Sequence, residues 1–234
     1  LQANVGNPDF KNENAYLSMK YPDTGFRLLT LYRYWNIIQY YFPYKNLIEE
    51  DWKNVLEEFI PKFINAKDET EYTLATLELI ERIHDTHANV WGGNQVLNNH
   101  FGLHYAPVKL TFIENKPVVT GFYDEKLGKE TGLEIGDIIS VINNKPFEEI
   151  VKDRLKFTPA SNYSTKLRDI ATNLLRTNDS IINIEFIRIN KEERKTLKTL
   201  SLKEINEYSK FKVTDTCFKF INKDIAYINN GSLK

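Results

Sequence analysis

The sequence predicts an α+β protein: a helical first third, then a mainly antiparallel β region flanked by helix. Two patterns carry that expectation. Before residue 90, apolar residues recur three and four apart, the period of a helix with one buried face. Beyond residue 100 they alternate, or form short β-branched blocks bounded by turn residues, as strands do. The sharpest block is Ile138, Ile139, Val141 and Ile142, set between Gly136-Asp137 and Asn143-Asn144. With 234 residues, 41% hydrophobic and 13% aromatic, the chain can bury sizeable cores.

Three helices are expected first. From Gly25 to Phe42 the stripe is Leu28, Leu31, Trp35, Ile38 and Phe42, and Pro43, lacking an amide, ends it. Asp51 suits the N-cap of the second, with Trp52, Val55, Leu56, Phe59 and Phe63 on one face and a kink expected at Pro61. Asp68, Glu69 and Glu71 favour the positive end of the third. Its stripe is Tyr72, Ala75, Leu79 and Ile83, and it runs toward His84-Asp85-Thr86-His87. Such aromatic stripes read as core.

Residues 92–99, rich in Gly and Asn, read as a linker. Strands follow over residues 103–112 and 117–123, with a turn at Glu114-Asn115-Lys116, and then the Gly-Asp strand. Residues 146–159 read as a short helix plus loop. A clearer helix spans Ser164 or Thr165 to Arg176, and residues 181–187 and 195–202 alternate as strands. Residues 224–229 alternate too, and a strand is not stable alone, so the chain reads as entering a further domain. The expected divisions are an extended segment 1–20, a helical domain 21–92, a β-rich domain 93–203 and the start of another unit at 204–234.

Lysine plus arginine number 31 against 32 acidic residues, with no basic stripe, which points away from nucleic acid. No apolar run approaches the roughly 18 residues that span a bilayer. The single cysteine, Cys217, excludes an intrachain disulfide and leaves the redox compartment open. His84/His87 and His100/His104 have zinc-like internal spacing, but without cysteine or a His-Glu-x-x-His helix the signal is weak. No metal and no cofactor are expected. The chain starts at Leu1 with a polar opening, which fits a trimmed exported product and equally a fragment.

The segment from Gly132 through Leu133, Gly136-Asp137, Ile138 and Asn143 to Pro146 closely resembles PDZ domains, particularly those inside bacterial C-terminal-processing peptidases. The resemblance implies a partly open β-barrel that adds a peptide's last residues as a strand beside a helix, loop amides holding the carboxylate. The carboxylate loop would be Phe101-Gly102-Leu103-His104-Tyr105, leading into the edge strand. His104 stands where the family often has a second glycine. Leu167, Ile170, Ala171 and Leu174 would divide between core and groove wall. The partners implied are peptide or protein C-termini; a PDZ-like fold that merely packs, its groove blocked, is the other reading.

The order of parts extends the likeness. Aromatic helices, His-Asp-Thr-His-Ala-Asn, the PDZ-like segment and the strand at Ile225-Ala226-Tyr227-Ile228 resemble the opening of a tricorn-like serine peptidase. In such peptidases a Ser-His pair ends the helical region, and Thr86-His87 matches it here, threonine replacing serine but keeping the hydroxyl. The resemblance makes His87 the general base, with Thr86 helping to hold its ring. Other members use a Ser-Lys dyad, and a histidine near a helix end is often structural, so both alternatives stay open. No Gly-x-Ser-x-Gly elbow is present, and Ser232 lies two residues from the end. The nucleophile is expected downstream, and this chain alone is expected to be inactive. The alternative is a stand-alone peptide-binding protein derived from such a peptidase.

Overall fold

Helix α1 (Thr24–Tyr41) starts where Asp23 accepts the Phe26 amide at 3.1 Å, and stops at Phe42, which is extended as a residue before proline must be. This computed structural model describes residues 11–16, 18–209 and 217–229. A 3-10 turn (Lys45–Leu47) leads to α2 (Trp52–Asn65), capped by Asp51, which continues through Pro61. Helix α3 (Glu69–Glu81) is capped by Asp68, while the Glu71 carboxylate reaches back to the Lys67 amide at 2.9 Å.

These helices share one core of Leu31, Val55, Phe59, Phe63 and Leu79. Two polar devices fix them together. Trp35 and Trp52 each donate an indole N–H to the other's carbonyl, at 2.7 and 3.0 Å. The buried Arg27 of α1 donates to the carbonyls of Phe63 and Ile64, satisfying acceptors that the end of α2 leaves open.

Residues 92–99, expected as a linker, instead hold most of helix α4 (Gln95–Phe101), with the Asn94 side chain accepting the Leu97 amide at 3.0 Å. The apparent loop signal was an N-cap. Strands β1 (His104–Tyr105), β2 (Val108–Ile113) and β3 (Lys116–Phe122) follow, then a helix that periodicity did not reveal, α5 (Glu125–Thr131). Next come β4 (Ile138–Ile142), β5 (Lys145–Pro146), α6 (Phe147–Leu155) and α7 (Tyr163–Ala171). Helix α7 ends before Arg176 because the chain must turn to deliver β6 (Arg176–Thr177) to β1. Strands β7 (Ile181–Arg188), β8 (Lys191–Lys198) and β9 (Leu200–Ser201), then α8 (Leu202–Ser209), complete this part. A hairpin of β10 (Phe218–Phe220) and β11 (Ala226–Ile228) is the last described element. Gly231 and Ser232 lie outside the described residues.

The fold class is α+β, with antiparallel sheets and no closed barrel among the described residues. The main sheet runs β2-β3-β4-β7-β8, with β5 on β4, and a small sheet runs β6-β1-β9. Helix α7 packs against edge strand β2 and buries Leu167, Ile170 and Ala171 in the sheet's core. Arrangement of this kind, an edge strand flanked by a helix, is compatible with a PDZ-like fold. Asp137, only 2% exposed, receives both Nε and Nη2 of Arg188, at 2.8 and 2.6 Å, and the Glu134 amide at 2.8 Å. The Gly-Asp motif therefore pins its turn to β7. Among the described residues no helix is long and apolar enough to cross a membrane.

Candidate functional site

The end of α3 divides two clefts. His84 takes a left-handed backbone (φ 52°), and its amide returns to the Glu81 carbonyl at 3.0 Å, closing the helix. Asp85, Thr86 and His87 follow in a turn in which one Asp85 oxygen does two jobs. It accepts the His87 amide at 2.9 Å and lies 3.0 Å from His87 Nδ1. A carboxylate at Nδ1 holds the proton there and leaves Nε2 as the acceptor. The ring is 97% exposed, and Trp91 donates its indole N–H to the His87 carbonyl at 3.0 Å.

His87 and Asp85 line a cleft of about 380 Å³ whose walls include Phe42, Tyr44, Leu47 and Ile83. Tyr34 lies near Asp85 with its hydroxyl buried and unpartnered. Burial, and then the Asp85 charge, push that phenol far above its ordinary range, so it stays neutral. Thr86 does not share this cleft; it lines the other one. The ring-holding role given to Thr86 is filled here by Asp85, a residue inside the same His-Asp-Thr-His motif. The signal that could have found it is a carboxylate two residues before His87.

The second cleft, about 390 Å³, lies between the residues after α3, the end of α4, and α6 and α7. Thr86, Trp91 and Phe101 face Arg154, Asn173 and Arg176 across it. Sequence reasoning did not single out Arg154, Asn173 or Arg176, because Arg154 lies on α6, away from the Asn173–Arg176 stretch, and meets it only through the fold.

The residues assigned to carboxylate binding are brought together, but their amides are already engaged. Phe101 is the last residue of α4. Gly102 (φ 117°) donates its amide to the Asn98 carbonyl at 2.9 Å. A Cβ on Gly102 would sit 2.6 Å from the Thr177 backbone, so close approach of β6 requires this glycine. Leu103 donates to Asn178 Oδ1 at 3.1 Å. His104 and Tyr105 pair on both sides, with β6 and with β9, so the strand after the loop is not an edge there. The open edge begins at Val108, where β2 pairs only with β3 among the described residues. Leu167, Ile170, Ala171 and Leu174 are all buried, and of these Ile170 also reaches the second cleft.

His100 stacks edge-on against Phe101 at 4.9 Å, and His104 Nδ1 is buried without a partner. Burial and then the Arg154 charge hold His100 below its ordinary value. Among the described residues no three His, Cys, Asp or Glu side chains converge as a metal site would need.

No family model matches this chain, and no curated protein does. Among solved structures it is similar to a photosystem II D1 C-terminal processing protease, with 13% identity and a TM-score of 0.42. The match covers 78% of this chain and 45% of that one, so the chain spans less than half of that protein's length.

Proposed function

We propose that this chain is the N-terminal, base-supplying and peptide-recognising part of a serine endopeptidase of the C-terminal-processing, tricorn-like kind. The observation that carries the reading is the Asp85–His87 pair. It orients an imidazole with Nδ1 occupied and Nε2 open, the state a general base needs. His87 Nε2 takes the proton of a serine hydroxyl carried by a separate catalytic core, and Asp85 stabilises the imidazolium that forms. Exposed apolar side chains near this cleft, Tyr44 at 60% and Leu47 at 65%, supply area against which such a core packs.

In this reading residues 21–92 form the helical domain, 93–203 the PDZ-like domain that binds or gates peptide or protein C-termini, and 204–234 the beginning of the core. The protein acts outside the cytoplasm. The recognition half rests on the open edge of β2 beside α7, a place for an added strand. The arginine cleft favours a second reading, a stand-alone peptide-binding protein, because that cleft is complete without any core.

The test is a serine-directed activity probe applied to the native gene product and its His87→Ala and Asp85→Asn variants. The expected result is labelling of the wild type, with turnover lost in the first variant and reduced on the order of 10²–10⁴-fold in the second. Equal turnover in wild type and His87→Ala would remove His87 from the mechanism.

A further inference from the structure

Two arginines, Arg27 buried and Arg154 half-buried, are satisfied very differently. Arg27 has four acceptors: the carbonyls of Pro22, Phe63 and Ile64 and the Thr24 hydroxyl. Arg154, at the end of α6, donates to the Asn173 carbonyl and to no carboxylate, although a guanidinium carries five N–H donors. Arg176 reaches the same residue from the other side, its Nη1 3.4 Å from Asn173 Oδ1, and it too has no acidic partner. Its remaining bonds go to the Gly102 carbonyl and the Asn98 side chain. Two like charges therefore converge on one asparagine at the wall of a cleft. The one acid lining that cleft, Asp169, is paired with Arg168 at 2.8 Å. Burial and then the neighbouring Arg176 charge lower Arg154 to about 10, as expected of a cation that lacks an anion.

The rest of the lining is mixed, with Thr86, Asn89, Thr158 and Thr172 beside an aromatic and apolar stretch. Phe101 and Phe157 meet edge-to-face at 6.2 Å, and Trp91 is 71% exposed at the mouth. An anion joined to an apolar group fits such a lining: the charge sits at the arginines and the side chain lies on the rings. The loop amides that a PDZ-like domain would use for a terminal carboxylate are spent on Asn98 and Asn178, while Phe101 of that same loop walls the cleft.

We infer that the Arg154–Asn173–Arg176 cleft binds the free C-terminal carboxylate of a peptide ending in an apolar residue, in place of the glycine loop. This rests on the peptide-recognition half of the proposed function and is independent of His87. The carboxylate lies between the two guanidinium groups, and the last side chain packs against Phe157 and Trp91.

The test is calorimetric titration of the chain with a leucine-terminated hexapeptide as free acid and as C-terminal amide. Trp91 fluorescence is read in parallel, with Trp91→Phe as the control for the other tryptophans. The free acid is expected to bind and to perturb Trp91, and the amide to bind about 10- to 100-fold more weakly, the value of charged hydrogen bonds. Arg154→Met and Thr172→Glu, the latter placing a carboxylate on the exposed rim, should each abolish the preference for the free acid. Arg154→Met should also leave the melting temperature unchanged or raised, since it removes a half-buried charge without an ion partner. Equal binding of acid and amide would overturn the cleft site while leaving peptide recognition at the β2 edge intact. A lowered melting temperature in Arg154→Met with acid preference retained in Thr172→Glu would make Arg154 structural and likewise overturn it. Binding of inorganic phosphate but of neither peptide would overturn both the cleft site and the recognition reading.

Discussion

At the scale of single residues, the glycine and aspartate that catch the eye in the sequence have structural reasons the sequence does not state. Gly102 looks like a ligand-loop glycine, yet its backbone is left-handed and its missing Cβ is the space Thr177 occupies. Gly102→Ala should cost about 1–3 kcal/mol from backbone strain alone, with the clash adding to it, and a thermal melt reads that loss. Asp137 gives a pH signature. Burial alone would raise its carboxyl, but hydrogen bonds from Arg188 and the Glu134 amide hold it below the ordinary carboxylate range. A depressed folded-state value means the stabilisation is complete above the unfolded value of about 3.9. It is lost as pH falls through the folded value. Asp137→Asn should therefore be less stable at neutral pH and should lose less stability than wild type below about pH 4, measured by urea melts across pH.

At the scale of elements, what could be read from the chain was what local chemistry decides. The cap at Asp51, the acidic start of the third helix at Asp68 and the stop at Pro43 work as expected, since each acts within a few residues. Helix α4 was hidden because its sequence, from Gln95 to Phe101, is too polar and too short to show a stripe, and Asn94 reads equally as turn or cap. The hairpin between β7 and β8 was hidden for another reason. Ile189 and Asn190 both take positive φ, at 47° and 61°, and a β-branched residue is the last expected in such a turn. Strand β8 begins at Lys191 rather than Lys195 because a charged edge strand carries little alternation. Of the candidate sites, His87, Thr86, Phe101 and Ile170 were legible in the sequence; the Asp85 contact and the arginines of the second cleft needed the fold. The α7 stripe shows the same limit, since periodicity finds a buried face without saying what buries it. Leu174→Ala, just beyond α7 and 1% exposed, should cost about 2–5 kcal/mol in a denaturant melt, as a core position does. A groove position would lose peptide affinity with little change in stability.

At the scale of the whole molecule, two hydrophobic cores stand side by side, one among α1–α3 and one under the main sheet. An ion pair joins them: Glu81, 5% exposed at the end of α3, meets the half-buried Lys166 of α7. Glu81→Gln leaves that half-buried ammonium without its counter-charge, and the melt should shift down by the equivalent of about 1.5–3 kcal/mol, the usual value of a charged hydrogen bond. His84 lies 3.4 Å from the same Glu81 oxygen, so this joint lies three residues from His87. The α3 terminus thus holds the two cores together while carrying the Asp85–His87 pair on its exposed side. The central claim, that this pair serves a serine core, is tested most directly by an activity probe on the protein taken intact from its source cells. The account predicts a probe-labelled species larger than the 27.4 kDa chain, whose turnover disappears in His87→Ala. An unlabelled species of 27.4 kDa would contradict it, and recognition by the arginine cleft would then stand as the function.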